Sequence, residues 1–292
     1  MALGLDIIVA GIEYSLSDGV TCKLIEQDGV GLPPLHRIAE RGPQQDGESD
    51  RGFRLDPRVV SLVLKVEGDT MYIKRDALAG WMKPRNAAVA LKWVRDDGAV
   101  RQLDAHYIEQ LTLPSNVASR YFMKVPAQFK AADPTFYDPT LVHVGFAISL
   151  GAEEFAVPLV IPWSIGAAVL DSTTAVTYLG TWKTYPIITV DGPVDDLIIT
   201  NQTTGDILDF TGDSVAVAKQ RIIDLRYGHK TIVDETGANK IAMLTAASDI
   251  STWHLAAAPD ALGGVNSINV TGDSGSAATA VRIDYYTRYI SL

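Results

Sequence analysis

The chain has 292 residues, enough for two domains and a sizeable hydrophobic core. Hydrophobic residues make up 47% of the sequence and the mean hydropathy is +0.10, which excludes an intrinsically disordered chain. The single cysteine, Cys22, excludes an intramolecular disulfide and a cysteine-rich zinc site, and it suits assembly in a reducing cytoplasm.

Charge divides the sequence into two parts. Residues 1–134 carry 17 basic and 18 acidic side chains, a net charge of −1, whereas residues 135–292 carry 8 and 17, a net charge of −9. This difference supports two domains and argues against a basic nucleic-acid-binding face in the second. No apolar run reaches the roughly 18 to 20 residues of a membrane span. The N-terminal segment includes Asp6 and Glu13 and lacks a basic n-region, so no signal peptide is predicted.

Strands dominate the first 108 residues. Five segments alternate apolar and polar side chains or lie between turn dipeptides, which predicts strands. They are Leu3–Val9, Val20–Glu26, Val59–Val66, Ala87–Val94 and Val100–Ile108. One helix is predicted over Lys74–Met82. Its Leu78, Trp81 and Met82 have the spacing of residues that share one helix face.

A polar segment precedes the strand Val59–Val66. Residues Ala39–Gly52 include no large apolar side chain, but they include three glycines, Pro43 and six charged residues. This composition is typical of a loop, and it leaves the segment too polar to fold against its own subunit. A long polar loop next to a strong strand is either a disordered insertion or a functional segment.

Another strand is predicted over Arg120–Phe129, followed by a proline-flanked segment, Phe129–Pro139. Pro134 and Pro139 would stiffen this segment, and Phe136 could anchor it. We interpret it as a rigid linker between two domains, with a direct binding role as the alternative.

Beyond Tyr137 the sequence is rich in Thr, Val, Ile, Gly and Asp, and short apolar runs alternate with turn signals. This pattern predicts an antiparallel β-sandwich. The predicted strands are Leu141–Ile148, Ala175–Tyr178, Ile187–Val190, Leu197–Asn201, Ile207–Phe210, Arg221–Arg226, Thr231–Val233, Ser251–Leu255, Ser267–Val270 and Ala280–Tyr289.

Ordered motifs run through most of the sequence between Pro34 and Tyr289. The N-terminal motifs are HRIAERGPQQDG and DRGFRLDPR, and the later ones include YPIITVDGPV, IITNQTTG, IDLRYGHKTIVD and YYTRY. Each motif alone is weak, but their order and spacing resemble those of siphophage distal tail proteins, the Dit family.

The resemblance implies a structural virion protein that forms a homo-hexameric hub ring at the tip of a long non-contractile tail. Residues 1–135 would form the ring domain, a β-barrel or sandwich with one helix and a long arm loop. Residues 136–292 would form a galectin-like antiparallel β-sandwich that projects outward. The implied partners are the tail tube protein and the tail-associated lysin or fibre hub protein. The protein would be assembled in the host cytoplasm, with no membrane and no sequence-specific nucleic acid as partner, although the genome could pass through the ring.

Within the ring domain, the polar loop is predicted to be an assembly arm that stays mobile in a free subunit and becomes ordered against a neighbour. Its charged side chains would pair across the subunit boundary. The candidate arm residues are Arg41, Pro43, Gln44, Gln45, Asp46, Glu48, Asp50, Arg51, Phe53 and Arg54.

No enzyme, cofactor or metal site is predicted. The GDSG motif around Ser274 matches a serine-protease nucleophile loop, but no histidine has the accompanying context and only a short segment follows it. A turn between two strands explains it instead. The paired acids Asp96-Asp97, Glu153-Glu154 and Asp195-Asp196 are adjacent, so on a strand their side chains would diverge.

Carbohydrate binding at the tail tip, contributing to host adsorption, is the alternative function. The second domain contains Trp163, Trp182 and Trp253, and exposed aromatic rings stack on sugars. Tryptophans in a sandwich also fill its core, and the sequence favours that interpretation.

Overall fold

A computed structural model of the protein describes residues 4–108, 122–147, 170–276 and 278–292. The chain divides into two compact units. The first comprises Met1–Pro139 together with Tyr289–Leu292, and the second comprises Thr140–Arg288. The described elements are almost all strands, in agreement with the predicted all-β class, and the predicted helix is present.

The first unit is built on an antiparallel sheet with one helix against it. Its elements are β1 (Gly4–Val9), β2 (Ile12–Ser15), β3 (Lys23–Asp28), β4 (Leu35–Glu40), β5 (Ser49–Leu55), β6 (Arg58–Glu67), α1 (Met71–Trp81), β7 (Val89–Val94), β8 (Val100–Tyr107), β9 (Phe122–Ala131) and the start of β10 (Phe136–Ala147). Seven of these strands pair in the order β2-β1-β7-β8-β9-β6-β3. No pairing joins β2 to β3 among the described residues, so the sheet does not close into a barrel.

Strand β6 is central to this unit. Val60, Leu62, Leu64 and Val66 alternate along it and all are buried, as the sequence predicted. Ten successive residues of β6 pair with β9, so this strand pair forms a long continuous ladder. The buried side of α1 adds Leu78 to the same core. The apolar face of β6 therefore provides the surface on which the rest of the unit packs.

Arg58, the first residue of β6, is an unusual core residue. Its side chain is buried, with 1% of the residue exposed. The guanidinium donates hydrogen bonds to four backbone carbonyls, at 2.6–2.7 Å. The acceptors are the carbonyl oxygens of Gly29, Gly31, Pro134 and Ile290. Burial lowers its pKa to about 10, so it remains charged at neutral pH.

The sequence missed a strand of this unit. Strand β2 was not predicted, because the turn before it places Ala10, instead of the usual Asn or Gly, at a positive φ of 52°. The segment Phe129–Pro139, predicted to be a rigid linker, lies within the first unit and ends at its boundary with the second. Strand β9 continues to Ala131, and Phe136 is fully buried with its ring edge-on to Trp93 at 5.4 Å. Phe136 thus anchors the segment, as the sequence suggested.

The second unit is an antiparallel sandwich. Its elements are the end of β10, β11 (Leu170–Thr177), β12 (Ile187–Asp191), β13 (Val194–Asn201), β14 (Ile207–Val215), β15 (Gln220–Asp224), β16 (Thr231–Asp234), β17 (Val265–Asp273) and β18 (Ala280–Tyr289). Two short 3₁₀ turns, Ile241–Met243 and Leu262–Gly264, lie between β16 and β17. One sheet has the order β16-β15-β12-β18-β10 and the other the order β11-β17-β13-β14.

The two sheets of this unit enclose one core. Ile188 and Ile283 contribute from one sheet, and Ile199 and Val270 from the other. In the predicted strand Ala280–Tyr289, the alternate residues Val281, Ile283 and Tyr285 are buried and form the inward face of β18. The predicted strand Ser251–Leu255 is wrong, because only Leu255 makes a β-bridge there and the segment turns instead.

Replacing Arg58 tests its structural role. We expect Arg58→Met to lower the free energy of unfolding of the first unit by about 3 kcal/mol, because it leaves four buried carbonyl groups without a donor. Urea denaturation of the full chain measures the loss. The matched control, Arg54→Met on an exposed strand, should change stability by less than about 0.5 kcal/mol. A loss below about 1 kcal/mol for Arg58→Met would contradict this account.

The second unit is predicted to fold alone. A fragment from near Asp138 to Arg288 should give β-rich circular dichroism and one cooperative melt. The complementary fragment 1–139 should be less stable than the first unit in the full chain, because it lacks the Ile290 carbonyl and the Tyr289 ring that lies 3.3 Å from the Arg101 guanidinium. An insoluble or unfolded second fragment would refute the predicted boundary.

Candidate assembly hairpin

The segment predicted to be a polar loop is a two-stranded hairpin. Strands β4 and β5 pair antiparallel from Leu35 opposite Leu55 to Glu40 opposite Ser49, with one register shift near Ile38. The prediction of a loop throughout Ala39–Gly52 is therefore wrong. Two paired strands hydrogen-bond each other's backbone N–H and C=O groups without burying side chains. A polar sequence can therefore still form a hairpin.

A compact turn over residues 41–48 joins the two strands. The Gln45 side chain accepts a hydrogen bond from the Gly42 amide at 3.0 Å and donates one to the Ser49 hydroxyl at 2.9 Å. Arg41 Nε donates to the Gln45 carbonyl at 3.2 Å. Two of the predicted arm residues, Arg41 and Gln45, thus hold the turn, and Pro43 lies within it.

Two ion pairs link the strands. Arg37 contacts Asp50 at 2.7 Å, and Arg51 contacts Glu40 at 2.7 Å. The Gly52 amide and then the Arg37 guanidinium hold the pKa of Asp50 below its usual range. Asp50 and Arg51 were predicted to pair with a neighbouring subunit, but within the free subunit they already have partners. All four side chains are well exposed, so each pair contributes only about 0–1 kcal/mol.

Apolar side chains on the hairpin remain exposed. Phe53 is 51% exposed, Leu35 49% and Ile38 44%. Leu35 pairs with Leu55, and Arg37 pairs with Phe53. The second pair is two residues further along each strand than the first, so both pairs lie on the same face of the ribbon. The sequence singled out Phe53 but missed Leu35 and Ile38, because Leu35 and Ile38 are three residues apart and give no alternating strand pattern. An isolated two-stranded ribbon with such a face is only marginally stable in water.

The base of the hairpin is fixed to the core. The Asp56 amide donates a hydrogen bond to the Pro34 carbonyl at 2.9 Å, which joins the segment that enters the hairpin to the segment that leaves it. Arg58 binds the carbonyls of Gly29 and Gly31 at the entry to the same segment. Gly29 has a φ of +81°, and a Cβ there would lie 2.0 Å from the Val59 carbonyl oxygen. The hairpin therefore projects from a rigid base.

Other residues singled out in the sequence lie elsewhere. Ser274 follows β17 in a turn with a φ of 59°, as the turn interpretation predicted. Asp196 lies at a bulge of β13 and accepts a hydrogen bond from the Gly212 amide at 2.6 Å. Trp253 is fully buried in the sandwich core, and Trp182 is half-buried. Trp163 and Glu153-Glu154 lie outside the described residues.

The part of the chain that the structure describes contains no group of three or more His, Cys, Asp or Glu side chains placed to hold a metal ion. It also contains no helix long and apolar enough to span a membrane.

Comparison with known proteins gives one informative likeness. No protein-family model matches the sequence, and no curated protein matches it. The structure of the Dit protein of phage SPP1, described as a paradigm of the hub adsorption apparatus in phages that infect Gram-positive bacteria, superposes with a TM-score of 0.64 at 16% identity. The match covers 97% of this chain and 98% of that chain, and so includes both units.

Two structures of the phage p2 baseplate in its activated conformation, with Ca and with Sr, are more distant. They have TM-scores of 0.48 and 0.46 at 9% and 8% identity, over 97% of this chain and 98% of theirs. The chain has the fold of a phage distal tail protein, as its sequence motifs predicted.

Proposed function

We propose that this protein is a structural component of a phage tail, the hub at the distal end of a long non-contractile tail. The observation that carries the proposal is the fold match to the SPP1 hub protein over nearly the whole of both chains, with both units in the same order. A match confined to one sandwich would be uninformative, because β-sandwiches serve many functions.

The first unit forms a homo-hexameric ring in this proposal, and the β4–β5 hairpin is its inter-subunit arm. The hairpin supports this role in two ways. Its exposed Leu35, Ile38 and Phe53 gain cover when a neighbouring subunit packs on them. The outer edge of each strand in a two-stranded ribbon also offers backbone groups that a second chain can pair. The polar arm residues at the turn, including Gln44, Asp46 and Glu48, would lie at the rim of that contact.

The ring is a scaffold without catalytic activity or cofactor. It contacts the tail tube protein on one side and the tail-associated lysin or fibre hub protein on the other, at the virion tail tip. The nearly neutral charge of residues 1–134 favours close packing of identical subunits, whereas the net −9 of residues 135–292 disfavours adhesion to DNA passing through the ring.

Substitution of Phe53 tests the arm. We expect Phe53→Ser to leave the melting temperature of the subunit nearly unchanged, because the side chain is half exposed. It should shift assembly toward smaller species by at least about tenfold in subunit concentration, since a central aromatic side chain is a typical binding hot spot. Native mass spectrometry of the wild-type and variant proteins measures the distribution.

The control is Val217→Ser, which alters an exposed apolar residue of the second unit. It should leave the distribution unchanged. Wild-type protein that stays monomeric at all concentrations would refute the ring, whereas rings that form equally well in the Phe53→Ser variant would refute only the arm.

Limited proteolysis tests how assembly orders the hairpin. In the free subunit, trypsin should cleave after Arg41 in the turn faster than after Arg51, whose backbone is paired in β5. In assembled tail tips both cleavages should slow, while cleavage after the exposed Lys183 of the second unit should not. Equal cleavage rates after Arg41 in both states would indicate that the segment is an ordinary surface hairpin with no role in assembly.

A further inference from the structure

A cluster of aromatic and basic side chains surrounds Tyr185 in the second unit. The Tyr227 ring lies edge-on to the Tyr185 ring, with centroids 5.9 Å apart, and the His254 ring lies 6.1 Å away. Tyr185 precedes β12, Tyr227 lies between β15 and β16, and His254 lies in the segment between β16 and β17. Three separate loops thus converge on one half-buried tyrosine.

Two lysine amines lie over the same ring. Lys230 Nζ is 4.1 Å and Lys183 Nζ is 5.9 Å from the Tyr185 centroid. The Lys230 amine is buried and has no hydrogen-bond partner among the described residues. Burial, and then the nearby Lys183 charge, lower the pKa of Lys230 to about 8. Burying an ammonium group without a hydrogen-bond acceptor costs folding free energy, so such a group in a native protein needs an explanation.

The carboxylates of the cluster are already engaged. Asp224 is held by Arg226 at 2.7 Å and has His229 at 3.9 Å. Asp206 accepts from the Thr252 hydroxyl at 2.9 Å and lies 3.5 Å from His254. No carboxylate in the described part of the chain comes within ion-pairing distance of Lys183 or Lys230. Two of the eight basic side chains beyond residue 134 therefore meet on one ring. Asp224 and Asp206 act to raise the pKa of Lys230 through charge attraction, but neither forms an ion pair with it.

The backbone of this region is constrained as well. Lys230 has a φ of 38°, a conformation that costs a non-glycine residue energy, and Gly228 turns the loop with a φ of 76°. The Tyr227 side chain at the loop tip is 73% exposed. The loop thus holds an exposed aromatic ring edge-on to the Tyr185 ring, over which both amines lie.

We propose that the Tyr185 cluster binds an acidic saccharide, a sugar ring that carries a carboxylate or a phosphate. The exposed Tyr227 ring offers its face to the C–H groups of the sugar. Lys183, and Lys230 through its flexible side chain, supply charge-assisted hydrogen bonds to the acidic group. The site differs from the one that the tryptophans suggested, because Trp253 lies in the core.

Saturation-transfer difference NMR on the full-length protein tests this proposal, because it detects weak ligands irrespective of the size of the assembly. The probes are glucuronic acid, glucose 6-phosphate and uncharged glucose. Both acidic probes should give saturation transfer, and glucose should bind about tenfold more weakly because it lacks the ion pair. The stronger of the two acidic probes shows whether the site prefers a carboxylate or a phosphate.

Variants assign the signal to the cluster. Tyr227→Ala and Lys183→Ala alter exposed side chains, and each should weaken acidic-probe binding about tenfold. The matched control is Tyr72→Ala, which removes an exposed tyrosine with its own cationic neighbour, Arg75, in the first unit. This control variant should leave the binding of the acidic probes unchanged.

Three results would overturn the proposal: no saturation transfer from any probe, binding that survives Tyr227→Ala, or glucose binding as tightly as the acids. If the cluster instead binds another tail protein, none of the probes would give saturation transfer. Ring formation by these variants is independent of the outcome, so the proposed hub role is tested separately.

Discussion

The buried Arg58 guanidinium ties together chain segments that are far apart in sequence. Its donors reach the carbonyls of Gly29 and Gly31, of Pro134, and of Ile290. No carboxylate among the described residues pairs with it, so its charge is stabilised by peptide dipoles and by the Phe136 ring, 4.6 Å from the guanidinium carbon. Because one guanidinium serves all four carbonyls, displacement of one segment disturbs the hydrogen bonds of the others. The folding of these segments is therefore cooperative.

The position of Arg58 also explains how a polar hairpin can be presented to a partner. The segment that enters β4 and the strand that follows β5 meet at Arg58, so the base of the ribbon is rigid while its tip extends into solvent. Within the ribbon the backbone and the charges are satisfied internally. What remains exposed is its apolar face, and hydrophobic contact with another chain is the interaction that such a face favours.

The sequence predicted the strands with strong alternation and missed features that depend on distant contacts. The apolar face of β6 and the inward face of β18 followed from a period of two residues. The hairpin was hidden because its ladder needs no buried side chains. The sequence suggested Phe136 as an anchor, but it could not identify Trp93 and Arg58 as the residues that Phe136 contacts. The Tyr185 cluster joins residues from three loops, and no local pattern marks such a convergence.

We propose that the first unit assembles into a ring through its hairpin, and electron cryomicroscopy of the purified full-length protein would show such a ring. We expect closed sixfold rings with a central channel, with density for residues 35–55 of one subunit on the first unit of the next. Isolated subunits, or rings whose subunits meet only through the sandwich of residues 140–288, would contradict it.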